Sequence, residues 1–251
     1  MAVPRLQAPI VLVHGLFGFS RLKLAGITLV SYFPGIPEFL AQPGNRVLVA
    51  DVHPTKGVAD RASQLKAFIE KESPGEPVHI LAHSMGGLDS RYMISQLGMA
   101  QRVLTLTTIG TPHRGSSFAD WGISRLERIV KPVLDLFDFP YQAFYDLTTA
   151  KCREFNEQAP DAPTVRYFSV AGRHPETGWL GRMQLLHQIV RAAEGPNDGV
   201  VSVASATYGE GCEEWEGDHL SLVNWTDPAG PRADRQQDYA RLVGRLADEG
   251  F

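Results

Sequence analysis

The stretch PVHILAHSMGGLDSR, residues 77–91, decides the fold prediction. Its apolar run VHILA (78–82) is followed by Ser84, and then by two glycines and a helical pattern. Together they predict a buried strand, a sharp turn and a helix. Small residues at Ala82 and Gly86 leave room for a strained turn that lifts the Ser84 hydroxyl above the end of a sheet. The alternative interpretation is that this segment is an ordinary glycine-rich turn between a strand and a helix, as found in any α/β protein.

The same alternation of strand and helix patterns runs along the whole chain. Four further apolar runs predict strands: PIVLV (9–13), RVLVADV (46–52), RVLTLTTI (102–109) and VRYFSVA (165–171). Three amphipathic patterns predict helices: 58–73, 85–97 and 233–249. Strands that alternate with helices indicate a mainly parallel sheet with helices on both faces, in a single α/β domain spanning 1–251.

One segment, residues 116–150, departs from this alternation. From Ser116 to Leu147 it is helical in period, interrupted by Pro132 and Pro140, and rich in aromatic residues. We interpret it as a helical cap, or lid, inserted into the domain. Its apolar side chains either pack on the sheet or line a pocket beneath the cap.

Composition narrows the class of protein further. The chain has 251 residues and a net charge of −4, with no basic run that would indicate nucleic-acid binding. We expect no transmembrane segment and no leader peptide, so the chain is either cytoplasmic or the mature form of a secreted protein. Cys152 and Cys212 allow either one disulfide or two free thiols. The oligomeric state stays open.

A second glycine turn follows the first predicted strand, in IVLVHGLFG (10–18). It lies at the carboxyl end of that strand, where open α/β sheets bind their ligands. We expect the backbone N–H groups of Leu16 and Met85 to form an oxyanion hole beside Ser84. His14 is expected to be structural.

A serine nucleophile needs a histidine base held by a carboxylate, and in such folds they follow the serine along the chain. His219, in a late polar loop, is the favoured base, the alternative being a solvent histidine. Asp198, in a tight Asn-Asp-Gly turn, is the favoured acid, although that sequence is also ordinary turn chemistry. The rivals for the acid are Asp218, which adjoins the base, and the weaker candidates Asp161 and Asp227.

Taken in order, HGLFG, AHSMGGLDSRYMIS, TIGTPHRGSSFADW, NDGVVS and GDHL resemble the bacterial triacylglycerol lipases of the α/β-hydrolase superfamily, from about residue 9 to about 226. The resemblance implies an α/β-hydrolase fold, Ser84, Asp198 and His219 as the catalytic triad, an oxyanion hole at Leu16 and Met85, and a lid.

Two departures limit the resemblance. Calcium-binding members of the group carry a carboxylate two residues after the base, where this chain has Ser221, and their disulfide cysteine after the acid is absent here. We therefore expect no metal and no organic cofactor. Within TPHRG (111–115) we expect a structural turn at Thr111 and Pro112, and a polar network at His113.

The expected activity is hydrolysis of carboxylic esters through an acyl-enzyme on Ser84. The apolar cap favours a lipase whose lipid or ester substrate meets it at an oil–water interface. A short-chain esterase, a phospholipase, an acyl thioesterase or a catalytically silent binding protein are the alternatives. The residues predicted to contact substrate are Phe17, Leu126, Val133, Leu134 and Phe137.

Overall fold

The computed structural model describes residues 2–16, 21–24, 27–129, 142–175, 182–225 and 234–251. Side chains are described over the same ranges except 21–24, 27–30, 126–129 and 182–183. The strands are β1 (Ile10–Val13), β2 (Arg21–Leu24), β3 (Ile27–Ser31), β4 (Val47–Val49), β5 (Val78–His83), β6 (Val103–Ile109), β7 (Arg166–Arg173) and β8 (Cys212–Glu216).

From β3 onward, one or more α-helices of the described residues follow each strand. They are α1 (Ile36–Ala41), α2 (Val58–Glu72), α3 (Met85–Gln96), α4 (Ser117–Ile129), α5 (Gln142–Asp146), α6 (Thr149–Gln158), α7 (Arg182–Glu194), α8 (Val203–Ala206) and α9 (Gln236–Asp248). A short 3₁₀ helix, Ser221–Val223, follows His219. None of these helices has the length and apolar character needed to cross a membrane.

Within the described residues, the main sheet has six strands in the order β4-β1-β5-β6-β7-β8, and all neighbours are parallel. This is the predicted α/β fold with a parallel sheet. Strands β1 and β5 are buried along their whole length, as their continuous apolar runs predict. Strands β2 and β3 form a separate antiparallel pair that the sequence patterns did not predict.

Two apolar clusters cover the two faces of the sheet. One is built around β1 and β7 with α1 and α9, and includes the buried Phe33, Phe168 and Tyr239. The other packs α2 and α3 on the opposite face through Leu65 and Ile80. The sheet is thereby fixed from both sides, and its carboxyl edge can hold loops in precise positions. Cys152 is buried, Cys212 is partly buried, and both are free thiols.

Candidate active site

Ser84 occupies the sharp turn between β5 and α3. Its backbone has φ 54° and ψ −130°, a strained conformation for any residue other than glycine. The backbone N–H of Ser84 donates to the Ile109 carbonyl at 2.8 Å, and the Thr111 hydroxyl donates to the Ser84 carbonyl at 2.7 Å. These two bonds from the neighbouring strand and its turn hold the strained serine in place.

Glycines allow the elements around Ser84 to approach closely. A Cβ at Gly86 would lie 2.8 Å from the His14 carbonyl oxygen, and one at Gly87 would overlap the side chain of Thr111. A Cβ at Gly15 would lie only 2.7 Å from the Cβ of Ser84. The loop after β1 therefore runs directly against the Ser84 turn, as the two glycine motifs predict.

The structure brings together the three residues predicted as a triad. His219 Nε2 lies 2.9 Å from Ser84 Oγ, and His219 Nδ1 lies 2.6 Å from Asp198 Oδ2. Because a carboxylate only accepts, Nδ1 carries the proton of the neutral ring, and Nε2 is left to accept from the Ser84 hydroxyl. Asp198 is fully buried, Ser84 is 7% exposed and the His219 side chain is 12% exposed, so these three residues meet solvent at the Ser84–His219 end.

Asp198 reaches this position from the loop between α7 and α8. An Asn197–Ser202 bridge closes this loop. Its Oδ1 accepts N–H bonds from Val200 at 3.0 Å and Val201 at 2.8 Å. The turn therefore fixes the carboxylate with its other oxygen facing the histidine.

The rival acids are engaged elsewhere. Asp218 Oδ1 accepts the backbone N–H groups of Leu220 and Ser221, at 2.9 and 2.8 Å, and so starts the 3₁₀ helix. Asp161 accepts the hydroxyl of Tyr208. Asp227 lies outside the described residues.

The predicted oxyanion-hole residues lie on the two elements that meet at Ser84. Met85 is the first residue of α3, where N–H groups have no partner inside the helix. Leu16 follows the close contact of Gly15 with Ser84, and both Leu16 and Ser84 line one cavity. A helix N-terminus at this point also favours negative charge on a bound oxygen.

Three other histidines near the site are buried. Burial lowers the pKa of His14 to about 4, and it lowers the pKa values of His83 and His113 well below the usual range. His14 is held by the backbone: Nδ1 lies 2.9 Å from the Gly15 carbonyl oxygen, and Nε2 accepts the Val52 N–H at 3.4 Å. These rings are therefore neutral at physiological pH.

The TPHRG segment forms the predicted polar network. His113 stacks on Tyr208 with ring centroids 4.0 Å apart, and its Nε2 lies 2.9 Å from Thr108 Oγ1. Arg114 donates to the Thr207 carbonyl at 2.9 Å. Thr111 is not only a turn residue, because its hydroxyl also donates to the Ser84 carbonyl and so helps to fix that peptide.

A buried ion pair behind the serine was missed by the sequence reasoning. Arg61 Nε donates to Asp89 Oδ2 at 2.8 Å, and its two terminal nitrogens donate at 2.7 Å to the carbonyls of His14 and His53. Both side chains of the pair are fully buried. One feature of the sequence could have indicated this pair: Arg61 lies on the apolar stripe of α2 that contains Ala62 and Leu65.

A cavity of about 410 Å³ opens beside Ser84 and His219. Its walls are mainly apolar, and a volume in this range suits a small-molecule ligand. The segment 116–150 contributes Phe118, Ala119, Phe144 and Leu147, and the loop after His219 contributes Leu220 and Trp225. The predicted substrate contacts Phe17, Val133, Leu134 and Phe137 lie outside the described residues, as does the side chain of Leu126.

No group of three or more His, Cys, Asp or Glu side chains that could hold a metal occurs among the described residues. The Ser84–His219–Asp198 chain contains the groups that acyl transfer requires: a hydroxyl, a base that accepts its proton, and a buried carboxylate that orients the base.

Comparison with known proteins places this geometry in context. Residues 8–144 match the family model described as alpha/beta hydrolase fold. The chain is 29% identical to Triacylglycerol lipase 2 of Saccharomyces cerevisiae, over 97% of this chain and 92% of that protein. It is 31% identical to a triacylglycerol lipase of Vibrio cholerae, over 86% of this chain and 79% of that protein.

A solved structure extends the likeness to the fold. The mature form of the Bacillus licheniformis lipase BlEst2 superimposes with a TM-score of 0.74 and 25% sequence identity. The superposition covers 96% of this chain and 92% of that one. The similarity therefore spans nearly the whole of both chains.

Proposed function

Because the chain belongs to the α/β-hydrolase fold family and is a lipase or ester hydrolase, we propose that Ser84 is its nucleophile, His219 its base and Asp198 its acid. The observation that carries this proposal is the hydrogen-bond chain from Ser84 Oγ through His219 to Asp198 Oδ2, at 2.9 and 2.6 Å. Removing any one member would break the path by which the serine is activated.

The first half of the reaction forms an acyl-enzyme. His219 Nε2 takes the proton of Ser84 as Oγ attacks the ester carbonyl, and Asp198 stabilises the imidazolium that results. The negative oxygen of the tetrahedral intermediate accepts the N–H groups of Leu16 and Met85. His219 then gives its proton to the alkoxide as the C–O bond breaks, and the alcohol leaves.

The second half repeats this sequence with water. His219 removes a proton from water as its oxygen attacks the acyl-serine carbonyl, and the same two N–H groups hold the second oxyanion. Collapse of the intermediate releases the carboxylic acid and returns the proton to Ser84 Oγ. The mechanism needs no metal and no organic cofactor at any step.

We propose medium- and long-chain acyl esters, including acylglycerols, as the substrates. The apolar cavity beside Ser84 and the printed names of the relatives support this class. Leu220 lines the cavity and is 47% exposed, so the apolar surface continues outward from the cavity. Such a mouth suits a substrate presented at an oil–water interface.

Residues 116–150 are proposed as a cap over the cavity. Near the start of the segment, Ser117 N–H donates to Glu194 Oε1 at 2.6 Å. Near its end, Thr149 N–H and hydroxyl donate to the two carboxylate oxygens of Asp120, at 2.9 and 2.8 Å. The bonds between Thr149 and Asp120 therefore hold the two ends of the segment together.

The proposal is tested with a fluorophosphonate probe and a series of p-nitrophenyl esters extended to emulsified triglyceride. We expect one label per chain in the wild type and none in Ser84→Ala. We expect turnover of C8–C12 esters and triglyceride to exceed that of acetate. Labelling that persists in Ser84→Ala would overturn the nucleophile assignment, and activity confined to C2–C4 esters would indicate a short-chain esterase.

A further inference from the structure

A second hydrogen-bond chain runs beside the triad and does not include Ser84. His83 Nε2 lies 2.9 Å from the backbone carbonyl oxygen of His219, and His83 Nδ1 lies 2.7 Å from the hydroxyl oxygen of Tyr32. That hydroxyl oxygen in turn lies 3.2 Å from the backbone nitrogen of Gly15. The chain therefore joins the loop that carries the base to the loop that carries Leu16.

The donor and acceptor of each bond follow from the ends of the chain. The Gly15 N–H can only donate, so Tyr32 accepts from it and has its own hydrogen free for His83 Nδ1. The His219 carbonyl can only accept, so His83 Nε2 must carry a proton. These roles require the neutral ring of His83 with the proton on Nε2, and each polar atom of the two side chains is then used.

The surroundings of His83 favour that neutral form. The ring is fully buried, and its centroid lies 4.5 Å from that of His219. Burial, reinforced by the charge that His219 acquires, lowers the pKa of His83 well below the usual range. A neutral neighbour at this distance does not oppose the imidazolium that forms on His219 during the reaction.

We propose that Tyr32 and His83 form a positioning pair, which holds the base loop at His219 and the oxyanion loop at Gly15 in register across the nucleophile turn. This inference rests on the proposed roles of Ser84 and His219. Neither side chain reacts. Both act through the backbone, since His83 fixes the peptide of His219 and Tyr32 fixes the peptide that precedes Leu16.

Such a tether affects the rate because acyl transfer is sensitive to small displacements. A shift of about 1 Å in a catalytic group can cost roughly 100-fold in rate. Here one pair of side chains fixes both the group that moves the proton and the loop of the oxyanion donor. Loss of the pair is therefore expected to lower kcat more than it raises KM.

The experiment compares two variants with two matched controls. Tyr32→Phe removes the hydroxyl, and His83→Leu removes both ring nitrogens. The control for the first is Tyr167→Phe, because the Tyr167 hydroxyl also accepts a backbone N–H, from Ala162 at 3.1 Å, away from the site. The control for the second is His79→Leu, since His79 is a buried histidine of the same strand, β5.

We expect kcat for a p-nitrophenyl ester to fall about 10- to 100-fold in Tyr32→Phe and in His83→Leu, with KM changed less than about 3-fold. The controls should stay within about 3-fold of the wild type in both constants. The double variant should lose little more than the worse single one, because both substitutions break one chain. His83→Gln, whose amide N–H can still reach the His219 carbonyl, should recover most of the kcat lost in His83→Leu.

Three results would overturn the positioning pair. They are a kcat loss no larger than that of the matched controls, a rise in KM alone, and losses that multiply in the double variant. If His83→Leu does not fold, Tyr32→Phe and His83→Gln still decide between these results. Failure of the triad itself is recognised separately, by fluorophosphonate labelling of wild type and Ser84→Ala.

Discussion

His219 is held to Asp198 twice. Its backbone N–H donates to the Asp198 carbonyl at 2.9 Å, and its ring Nδ1 lies 2.6 Å from Asp198 Oδ2. The loop of the proposed base and the turn of the proposed acid are thus joined through both backbone and side chain. The ring of His219 can rotate only by giving up the bond to Asp198, which keeps Nε2 facing Ser84.

This double tether predicts that Asp198, and not the adjacent Asp218, sets the activity. Asp198→Asn should lower kcat on the order of 10⁴-fold, because an amide can donate to Nδ1 and stabilise the wrong tautomer of His219. The kcat of Asp218→Asn should stay within about 10-fold of the wild-type value, because the amide oxygen of the asparagine can still accept the two N–H groups of the 3₁₀ helix. Initial rates on a p-nitrophenyl ester measure both effects.

Substitutions of the two other proposed triad members give the kcat losses with which that of Asp198→Asn is compared. Ser84→Ala and His219→Ala should each lower kcat on the order of 10⁴- to 10⁶-fold, and combining either with Asp198→Asn should add little, since the three residues act as a unit. Thermal unfolding should show that all variants remain folded. Near wild-type activity in Asp198→Asn, together with a large loss in Asp218→Asn, would make the acid assignment wrong.

Removal of calcium is expected to change neither the thermal midpoint of the protein nor its esterase rate. Ser221, which stands where calcium-binding relatives carry a carboxylate, uses its hydroxyl to donate to the Asp218 carbonyl at 2.8 Å. A neutral hydroxyl in that role is a poor ligand for a hard cation. Thermal midpoint and esterase rate, measured with and without EDTA, should agree. A drop that added calcium reverses would refute the expectation.

Most of the fold could be predicted from the sequence, because the central strands are covered on both faces. Runs such as PIVLV and VHILA have no exposed position, so they stand out as continuous apolar segments. Strand β8, CEEWE, was not predicted. It lies at the sheet edge and pairs with β7 only, and Trp215 is its one buried residue. The three glutamates of β8 leave no apolar run, whereas the other edge strand, β4, keeps the apolar run VLV and was predicted.

The candidate site could be predicted only where a local motif indicates its chemistry. The hydrogen-bonded group of Ser84, His219 and Asp198 was expected from short segments and from chain order. The partners that hold them do not, because Tyr32 and His83 are 51 positions apart, and Arg61 and Asp89 are 28 positions apart. Only the packing of α1, α2 and α3 on the sheet brings these side chains together.

Breaking the buried Arg61–Asp89 pair should be strongly destabilising. Burial raises the pKa of Asp89 to about 6, against the opposing effect of the Arg61 charge. Asp89→Ala leaves the guanidinium buried without a counter-charge, and we expect the free energy of unfolding to fall by about 3–5 kcal/mol. Urea denaturation at pH 7 measures this.

A surface ion pair is the control for that measurement. Lys151 and Glu154 lie 2.6 Å apart on the exposed face of α6, and Glu154→Ala should have a much smaller effect. The double variant Arg61→Met with Asp89→Leu should recover part of the loss, because no charge is then left unpaired. An Asp89→Ala variant as stable as Glu154→Ala would contradict the role given to the pair.

Acid should weaken the fold partly through His79. Burial lowers its pKa to about 4 from 6.5, so the unfolded chain binds the proton more readily than the folded one. The stability due to the neutral ring is therefore present above about pH 6.5 and lost as pH falls toward 4, and it amounts to roughly 3 kcal/mol at most.

We expect His79→Gln to lose stability less steeply than the wild type between pH 6.5 and 4, in urea denaturation at several pH values. Thr105→Val is the control, because it removes the hydroxyl 2.9 Å from His79 Nδ1 but keeps the titrating ring. Its slope with pH should match the wild type. Parallel curves for His79→Gln and the wild type would show that His79 is not a source of acid sensitivity.

The length of the acyl chain should be set by the cap rather than by the triad. Ala119 of α4 is 1% exposed and lines the cavity beside Ser84, so Ala119→Leu fills space that an acyl chain would occupy. A hydrophobic pocket discriminates by about 1–3 kcal/mol per methylene, so the ratio of C10 to C4 ester rates should fall by roughly 10- to 200-fold. Turnover of the C4 ester should change little, since Ala119 has no part in binding the carbonyl.

Ala143→Leu is the matched control for this substitution. Ala143 is fully buried in the same apolar cluster of the cap segment but does not line the cavity, so its enlargement should leave the C10 to C4 ratio unchanged. Thermal unfolding checks that both variants are folded, and fluorophosphonate labelling checks that Ser84 still reacts. If Ala119→Leu keeps the wild-type ratio, the acyl chain does not bind beside α4. The acyl pocket would then be sought on the other side of Ser84, along the segment that follows Gly15.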